Sequence, residues 1–154
     1  MSKIEIIDFE NRYTTRVKEL NYEWLFKHSL WEPLDDTYLN NPQKMILDPG
    51  GFIFLASAED EIVGTVALVP AGDGIMEICK LAVTEKMQGQ QIGLRLMEKC
   101  INMGKTLGLQ KIILFTNSRL THALKLYEKI GFCHSTDSSE KYEEADLKLE
   151  LPLA

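Results

Sequence analysis

The stretch of the sequence with the clearest chemical potential is QGQQIG, which occupies Gln88 to Gly93. It joins an apolar run typical of a strand to a run with the spacing of a helix. The first N–H groups of a helix have no partner within the helix, and the helix dipole makes that end partly positive. Glycine lets a phosphate or pyrophosphate approach those groups closely. The pattern indicates either an anion site or a tight turn without a ligand, and this stretch alone favours neither.

The cysteines and histidines form no pattern that is typical of a metal site or a disulfide framework. Cys79, Cys100 and Cys133 are odd in number, include no CxxC pair and lie among apolar residues. They are predicted to be small core residues. One adjacent Cys–His pair is too little for a metal site. The sequence therefore predicts no metal cofactor.

Length, composition and charge favour a single globular domain that spans residues 1–154. The chain has 45% hydrophobic and 26% charged residues, which are ordinary globular values. It shows no apolar run of membrane-spanning length, and MSKIEIIDFE lacks the apolar core of a signal peptide. A net charge of −6 disfavours a nucleic-acid partner and is compatible with a cationic substrate. We therefore expect a cytoplasmic protein without nucleic-acid or membrane partners.

The rest of the chain must form the frame that positions the QGQQIG turn. Apolar and alternating runs predict strands at Ile4 to Phe9, Phe52 to Ala56, Ile62 to Val69, IMEICKLAV, KIILFT and ADLKLELPL. Helical spacing predicts helices in YTTRVKELNYEWLFKH, from Ile92 to Leu107 and in LTHALKLYEKI. The prolines and the Gly-Gly pair of WEPLDDTYLNNPQKMILDPGG predict a short helix set between turns. This order predicts an α/β (α+β) fold with a mixed, mostly antiparallel central sheet and helices on both faces. It matches neither a Rossmann repeat nor a P-loop.

Two motifs together resemble the GNAT superfamily of acetyl-coenzyme A-dependent N-acetyltransferases. EICKLAVTEKMQGQQIGLRLM holds a form of Gln/Arg-x-x-Gly-x-Gly/Ala, and TNSRLTHALKLYEKIGF holds Ala123, Tyr127 and a final Gly-Phe. GGFIFLASAEDEIVGTVALVP is similar to the central hairpin of the family, so the resemblance covers most of the chain. Two positions depart from the pattern. Gln91 stands where the family has a glycine, and Leu120 stands where many relatives have an asparagine.

The resemblance implies a GNAT-like fold with acetyl-coenzyme A as co-substrate. The turn amides would hold the coenzyme pyrophosphate, and the preceding strand would splay from its neighbour and pair with the pantetheine arm. Without the resemblance, a plain core strand would be the favoured interpretation. Since Leu120 replaces the usual asparagine, a side-chain amide contact would have to come from Asn117. The coenzyme-binding residues implied in this way are Leu81, Ala82, Val83, Gln88, Gly89, Gln90, Gln91, Ile92, Gly93, Asn117 and Tyr127.

Acetyl transfer from a thioester to an amine needs a neutral amine, a donor for the oxyanion and a proton for the departing thiolate. The resemblance implies that the Tyr127 hydroxyl supplies the proton and that the Leu81 N–H is the oxyanion donor. It also places Glu77 where some relatives have a glutamate base. A charged residue on a strand equally suits a solvent-facing position, and other members of the family use water chains.

The acceptor pocket is expected from the N-terminal half and from the segment before the last strand. NYEWLFKHSLWEPLDD supplies aromatic walls and carboxylates that suit a cation, and SSEKYEEAD supplies a further aromatic residue. Aromatic residues at helical spacing also suit a core, so both interpretations stay open. The predicted substrate-binding residues are Trp24, Trp31 and Tyr142.

The sequence therefore predicts an N-acetyltransferase that moves the acetyl group directly to a primary amine of a small molecule or a protein, through a ternary complex. The alternative is a non-catalytic coenzyme A-binding sensor or regulatory module on the same fold. A purely structural interaction domain would need no turn motif. An exposed final strand could also pair between subunits and form a homodimer.

Overall fold

A computed structural model describes residues 3–137 and 140–153, in which seven strands and four α-helices are found. The strands are β1 (Ile4–Asp8), β2 (Phe52–Ala58), β3 (Glu61–Gly72), β4 (Ile75–Val83), β5 (Lys111–Thr116), β6 (Cys133–His134) and β7 (Leu147–Pro152). The helices are α1 (Thr14–Lys27), α2 (Pro33–Asn40), α3 (Ile92–Thr106) and α4 (Thr121–Ile130). Every predicted strand and helix is present, with ends shifted by a few residues. The sequence analysis missed β6, because two residues carry no periodic signal.

The strands form one sheet in the order β1-β2-β3-β4-β5-β7-β6. All neighbouring pairs are antiparallel except β4 and β5, which are parallel. The predicted mixed, mostly antiparallel sheet is therefore confirmed. The expectation of an exposed final strand is wrong, because β7 lies between β5 and β6. The homodimer inferred from such an edge loses that support.

Helices cover both faces of the sheet, as predicted, and each face has its own apolar core. The α3 residues Leu96, Met97 and Cys100 are fully buried against one face, and Leu20 of α1 and Leu39 of α2 are buried against the other. Cys100 is thus the small core residue that was predicted, and Cys79 is half-buried. The prediction is wrong for Cys133, which is exposed at the short strand β6.

The parallel strands β4 and β5 separate shortly after they begin. They pair only between Ile75–Glu77 and Lys111–Ile113, whereas β4 stays paired with β3 as far as Val83. The β3–β4 register also shifts near Lys80, which has a left-handed φ of 57°. Such a bulge bends a strand and re-aims its groups. The predicted splay is present, and it leaves one edge of β4 facing an open cleft.

Candidate functional site

The separation of β4 and β5 opens a cleft of about 840 Å³ that runs across the sheet. Its walls are the end of α1, the start of α3, the helix α4 and the segment that precedes β7. A cleft of this volume suits a ligand of cofactor size. Most of the residues predicted to bind coenzyme or acceptor lie along it.

The N-terminal end of α3 presents a row of backbone N–H groups at this cleft. Within the described parts of the chain, the N–H groups from Gly89 to Leu94 have no hydrogen-bond acceptor, and the Arg95 N–H is the first to bond back, to the Gln91 carbonyl at 3.1 Å. The Gln88 N–H already donates to the Glu85 carbonyl at 3.2 Å. The predicted coenzyme-binding residues thus include Gln88, whose N–H is already bonded, and omit Leu94, whose N–H is free. The free donors fit an anion.

Gln91 keeps the left-handed turn that a glycine would form more easily. It is the N-cap of α3, with φ 60° and ψ 25°, a conformation that costs an L-residue roughly 1–2 kcal/mol. Gln91 therefore adopts, with some strain, a conformation that glycine adopts easily. Packing within the chain does not require a glycine at position 93. A Cβ added there would lie 3.8 Å from the Leu126 Cδ2, which is an ordinary van der Waals distance. The space beside Gly93 is open toward the cleft.

The backbone of Leu81, Ala82 and Val83 also lines the cleft, as does Asn117. The Asn117 side chain, however, is already engaged. Its Nδ2 donates to the Glu144 carbonyl at 2.7 Å, and its Oδ1 accepts from the Arg119 N–H at 2.9 Å. Asn117 therefore fixes the segment before β7, and its predicted contact to coenzyme stays a prediction. Gln90 is exposed and does not line the cleft.

Tyr127 projects from α4 into the cleft with its ring half-buried. The ring packs edge-on against Phe132, with centroids 6.2 Å apart. No residue in the described ranges hydrogen bonds to its hydroxyl. Burial raises the pKa of Tyr127 to about 12, so the hydroxyl carries its proton at neutral pH. The group can therefore donate a proton, although its catalytic role stays a prediction.

Glu77 does not face solvent, so that interpretation of its position on a strand is wrong. It is 1% exposed and borders the cleft from β4. The Lys141 Nζ donates to its Oε1 at 2.6 Å, and the Tyr142 hydroxyl donates to its Oε2 at 3.0 Å. Burial alone would lower the pKa of Lys141. The negative charge of Glu77, with the hydrogen bonds that Lys141 donates to Glu77 and Tyr38, outweighs burial and raises that pKa. The role of Glu77 as a base stays a prediction.

Two of the three predicted acceptor residues lie at the cleft. Trp24 packs against His28, with ring centroids 4.8 Å apart, and Tyr142 packs edge-on against Phe115 at 5.7 Å. Trp31 does not line the cleft. It is 38% exposed, and its Nε1 donates to the Asp36 carboxylate at 2.9 Å. The structure thus brings Trp24 and Tyr142 together and leaves Trp31 outside.

A buried ion pair near the predicted acceptor residue Tyr142 was not found from the sequence. The Lys80 ammonium donates to the Asp35 carboxylate, and the two side chains are 7% and 5% exposed. Lys80 belongs to the β4 bulge and Asp35 to α2, so this pair ties the bulge to the helix. Forty-five residues separate the two partners, and no local pattern could have paired them.

His28 is a further cleft residue that was not singled out from the sequence. Burial, and then the positive charges of Lys27 and Arg119, lower the pKa of its imidazole. The imidazole is therefore mostly neutral at pH 7. Its lone position at the end of α1 gave no signal in the sequence.

In the part of the chain that the structure describes, no group of three or more histidine, cysteine, aspartate or glutamate side chains is placed to hold a metal ion. No helix in those ranges has the length and hydropathy to span a bilayer.

Comparison with known proteins gives consistent matches. The model of the acetyltransferase (GNAT) family matches residues 11–132. The uncharacterized N-acetyltransferase YvbK of Bacillus subtilis is 34% identical over 104 residues, which cover 66% of this chain and 67% of that protein. A GNAT-family acetyltransferase from Staphylococcus aureus has a similar structure, with a TM-score of 0.88 at 23% identity, over 99% of this chain and 100% of that chain. A Bacillus subtilis acetyltransferase in complex with CoA gives a TM-score of 0.71 at 24% identity, over 100% of both chains.

Proposed function

The chain belongs to the acetyltransferase (GNAT) family, and we propose that it moves an acetyl group from acetyl-coenzyme A to a primary amine. The observation that carries this proposal is the splayed β4–β5 cleft that ends on the row of free N–H groups from Gly89 to Leu94. A ligand with an extended arm and a pyrophosphate fits both parts of that arrangement. The match of the family model to residues 11–132 favours a single domain over residues 1–154.

The coenzyme would lie along the open edge of β4, with its pyrophosphate at the start of α3. The backbone from Leu81 to Val83 would pair with the pantetheine arm as an added strand would. The side chains of Arg119, Lys125 and Lys129 also line the cleft. Their positive charge would favour a polyanionic ligand in a protein whose net charge is −6.

Tyr127 is proposed as the general acid. Its protonated hydroxyl would donate to the coenzyme sulfur as the carbon–sulfur bond breaks. The Leu81 N–H would stabilise the oxyanion of the tetrahedral intermediate. The amine must lose its proton before it attacks, and either Glu77 or a chain of waters would take it.

The acceptor is proposed to be a primary amine of a small molecule or of a protein, bound beside Trp24 and Tyr142. The buried carboxylates of Glu32 and Asp35 also border this end of the cleft, where they favour a cationic partner. A cytoplasmic location, without a nucleic-acid or membrane partner, completes the proposal.

The proposal is tested by the release of free thiol from acetyl-coenzyme A in the presence of a panel of primary amines, with the acetylated product identified by mass. The panel holds an alkylamine, a diamine, free lysine and a peptide with a free N-terminus. The proposal expects amine-dependent thiol release and a product that is heavier by one acetyl group. Binding of coenzyme A without transfer to any amine would instead support the sensor, and absence of binding would contradict both.

A further inference from the structure

The segment 140–146, named the strap here, crosses the acceptor end of the cleft before β7 begins. Tyr142, Glu144 and Ala145 of the strap line the cleft itself. A segment of this length with one aromatic residue buries little apolar surface, so specific polar contacts must hold it in place. Two buried carboxylates, from distant parts of the chain, accept four of those contacts.

Glu77 is the first of these carboxylates, and both of its oxygens are used by the strap. Lys141 donates to one at 2.6 Å and the Tyr142 hydroxyl donates to the other at 3.0 Å. Burial, with the negative charge of Glu77, raises the pKa of Tyr142 above its ordinary value. The hydroxyl therefore stays a donor to Glu77 at any ordinary pH.

Glu32 is the second carboxylate, and it binds the strap backbone. It is 7% exposed, and its Oε1 and Oε2 accept the N–H groups of Glu143 and Glu144 at 3.2 Å and 3.0 Å. Hydrogen bonds to a charged acceptor are among the stronger ones in proteins. A buried carboxylate at the start of α2 thus fixes two successive strap residues, which follow Glu32 in the chain by 111 and 112 positions.

Cation–π contacts link the strap to the β4 bulge. The Lys80 ammonium lies 5.3 Å from the centre of the Tyr142 ring and 5.2 Å from that of Tyr38. The Lys141 ammonium lies over the same two rings, at 5.2 Å and 4.9 Å. Such cation–π contacts favour one arrangement of the rings. The position of Tyr142 in the cleft is therefore set from both sides.

We propose that Glu77 and Glu32 are positioning residues that hold the strap so that Tyr142 forms the acceptor wall, and that Glu77 is not the base. The inference rests on the proposed function for its kinetic part only. A base needs an oxygen that the attacking amine can reach, whereas the Glu77 carboxylate is 1% exposed and each of its oxygens already accepts a hydrogen bond from the strap. The proton of the amine then leaves through water.

Hydrogen–deuterium exchange of the strap amides tests the structural part without any substrate. In Glu32→Gln, the side-chain NH₂ would face a backbone N–H, and at least one of the two bonds would be lost. The proposal expects exchange at Glu143 and Glu144 to rise by roughly ten-fold or more. Glu61→Gln is the matched control, since Glu61 is exposed and pairs with Lys86 at 2.8 Å. Unchanged strap exchange in a folded Glu32→Gln variant would overturn the proposal.

Steady-state kinetics then separates positioning from base catalysis. The proposal expects Glu77→Gln, Glu32→Gln and Tyr142→Phe each to raise the KM for the amine by about ten-fold. The coenzyme affinity and the shape of the kcat–pH profile should stay as in the wild type. A base would instead give a kcat loss at low pH in Glu77→Gln alone, with the amine KM unchanged, and that result would overturn the proposal.

The failures of the two proposals are distinguishable. A protein that binds no coenzyme A contradicts the proposed function, and strap exchange in Glu32→Gln still decides the role of the carboxylate. Tyr142→Phe keeps the ring that packs on Phe115, so it retains the fold while it removes one donor to Glu77. Thermal melts of all variants confirm that the kinetic changes come from folded protein.

Discussion

The proposed coenzyme half of the cleft and its proposed acceptor half are built in different ways. The coenzyme half, from β4 to α4, presents main-chain N–H groups and an open strand edge. The acceptor half joins α1, α2 and the strap through buried side chains such as Glu32, Asp35 and Glu77. Backbone groups are present whatever the side chains are, whereas a side-chain network changes with each substitution. The first half is therefore suited to a constant ligand and the second to a particular acceptor.

Gln91 illustrates how tolerant the backbone half is. The residue adopts the left-handed conformation that a glycine would adopt, and the free N–H groups on both sides of it remain. No such tolerance is expected of Lys80 and Asp35, because removal of either partner leaves a buried charge without compensation.

The largest expected effect is loss of coenzyme binding in Gly93→Pro. Gly93 is the second residue of α3, where proline is tolerated because the helix does not use that N–H. The change removes one donor and places a ring at the cleft, so the affinity for coenzyme A should fall by roughly a hundred-fold. Calorimetric titration measures this.

Gly93→Ala is the matched control for that change, since it keeps the N–H and its Cβ would make only an ordinary contact to Leu126. If a folded Gly93→Pro variant bound coenzyme A as the wild type does, the backbone half would have no role as an anion site. The contrast between the two halves would then disappear.

A smaller effect is expected from Tyr127→Phe, which leaves binding in both halves intact. Since the proposed general acid would act only in the transition state, kcat and kcat/KM should fall together by roughly ten- to a hundred-fold. The pKa of about 12 keeps the hydroxyl protonated as the pH rises from 6 to 10, so Tyr127 should cause no loss of kcat in that range. Steady-state kinetics with a validated amine, beside a thermal melt, measures both. Wild-type turnover would leave Tyr127 as a packing residue.

The smallest effect is expected from Gln91→Gly, which sharpens the comparison on the backbone side. Relief of the left-handed strain is partly offset by the greater freedom of glycine in the unfolded chain. The free energy of unfolding should rise by about 0.5–1 kcal/mol, while coenzyme affinity stays unchanged. Urea denaturation measures the stability. A less stable variant would show that the Gln91 side chain makes contacts that matter more than the strain.

The two halves also differ in how far the sequence predicts them. The strand, the turn and the helix around QGQQIG are contiguous, and Gly131, with φ 119°, caps α4 directly after the predicted helix LTHALKLYEKI. Local periodicity and glycine chemistry were therefore sufficient for the strands, the helices and the position of the turn, whereas the splay of β4 was implied only by the family resemblance. Whether an individual group such as the Gln88 N–H is already engaged depends on the preceding short turn, which has no periodic signal.

The acceptor half could not be predicted in the same way, because its contacts join distant residues. Glu32 meets Glu143 across 111 positions, and Lys141 meets Glu77 across 64. A single sequence carries no signal for such pairs. Trp31 was predicted to bind the acceptor because it lies in the same segment as Trp24, but its side chain turns outward and donates to Asp36.

The central claim is that the free N–H groups of the α3 start hold the coenzyme pyrophosphate. The most direct measurement is a titration of the ¹⁵N-labelled protein with coenzyme A, followed through the backbone amide chemical shifts. We predict that the largest downfield proton shifts occur between Gly89 and Leu94, and that pantetheine, which lacks the pyrophosphate, does not cause them. Shifts from coenzyme A that leave Gly89 to Leu94 unchanged and concentrate elsewhere would contradict it.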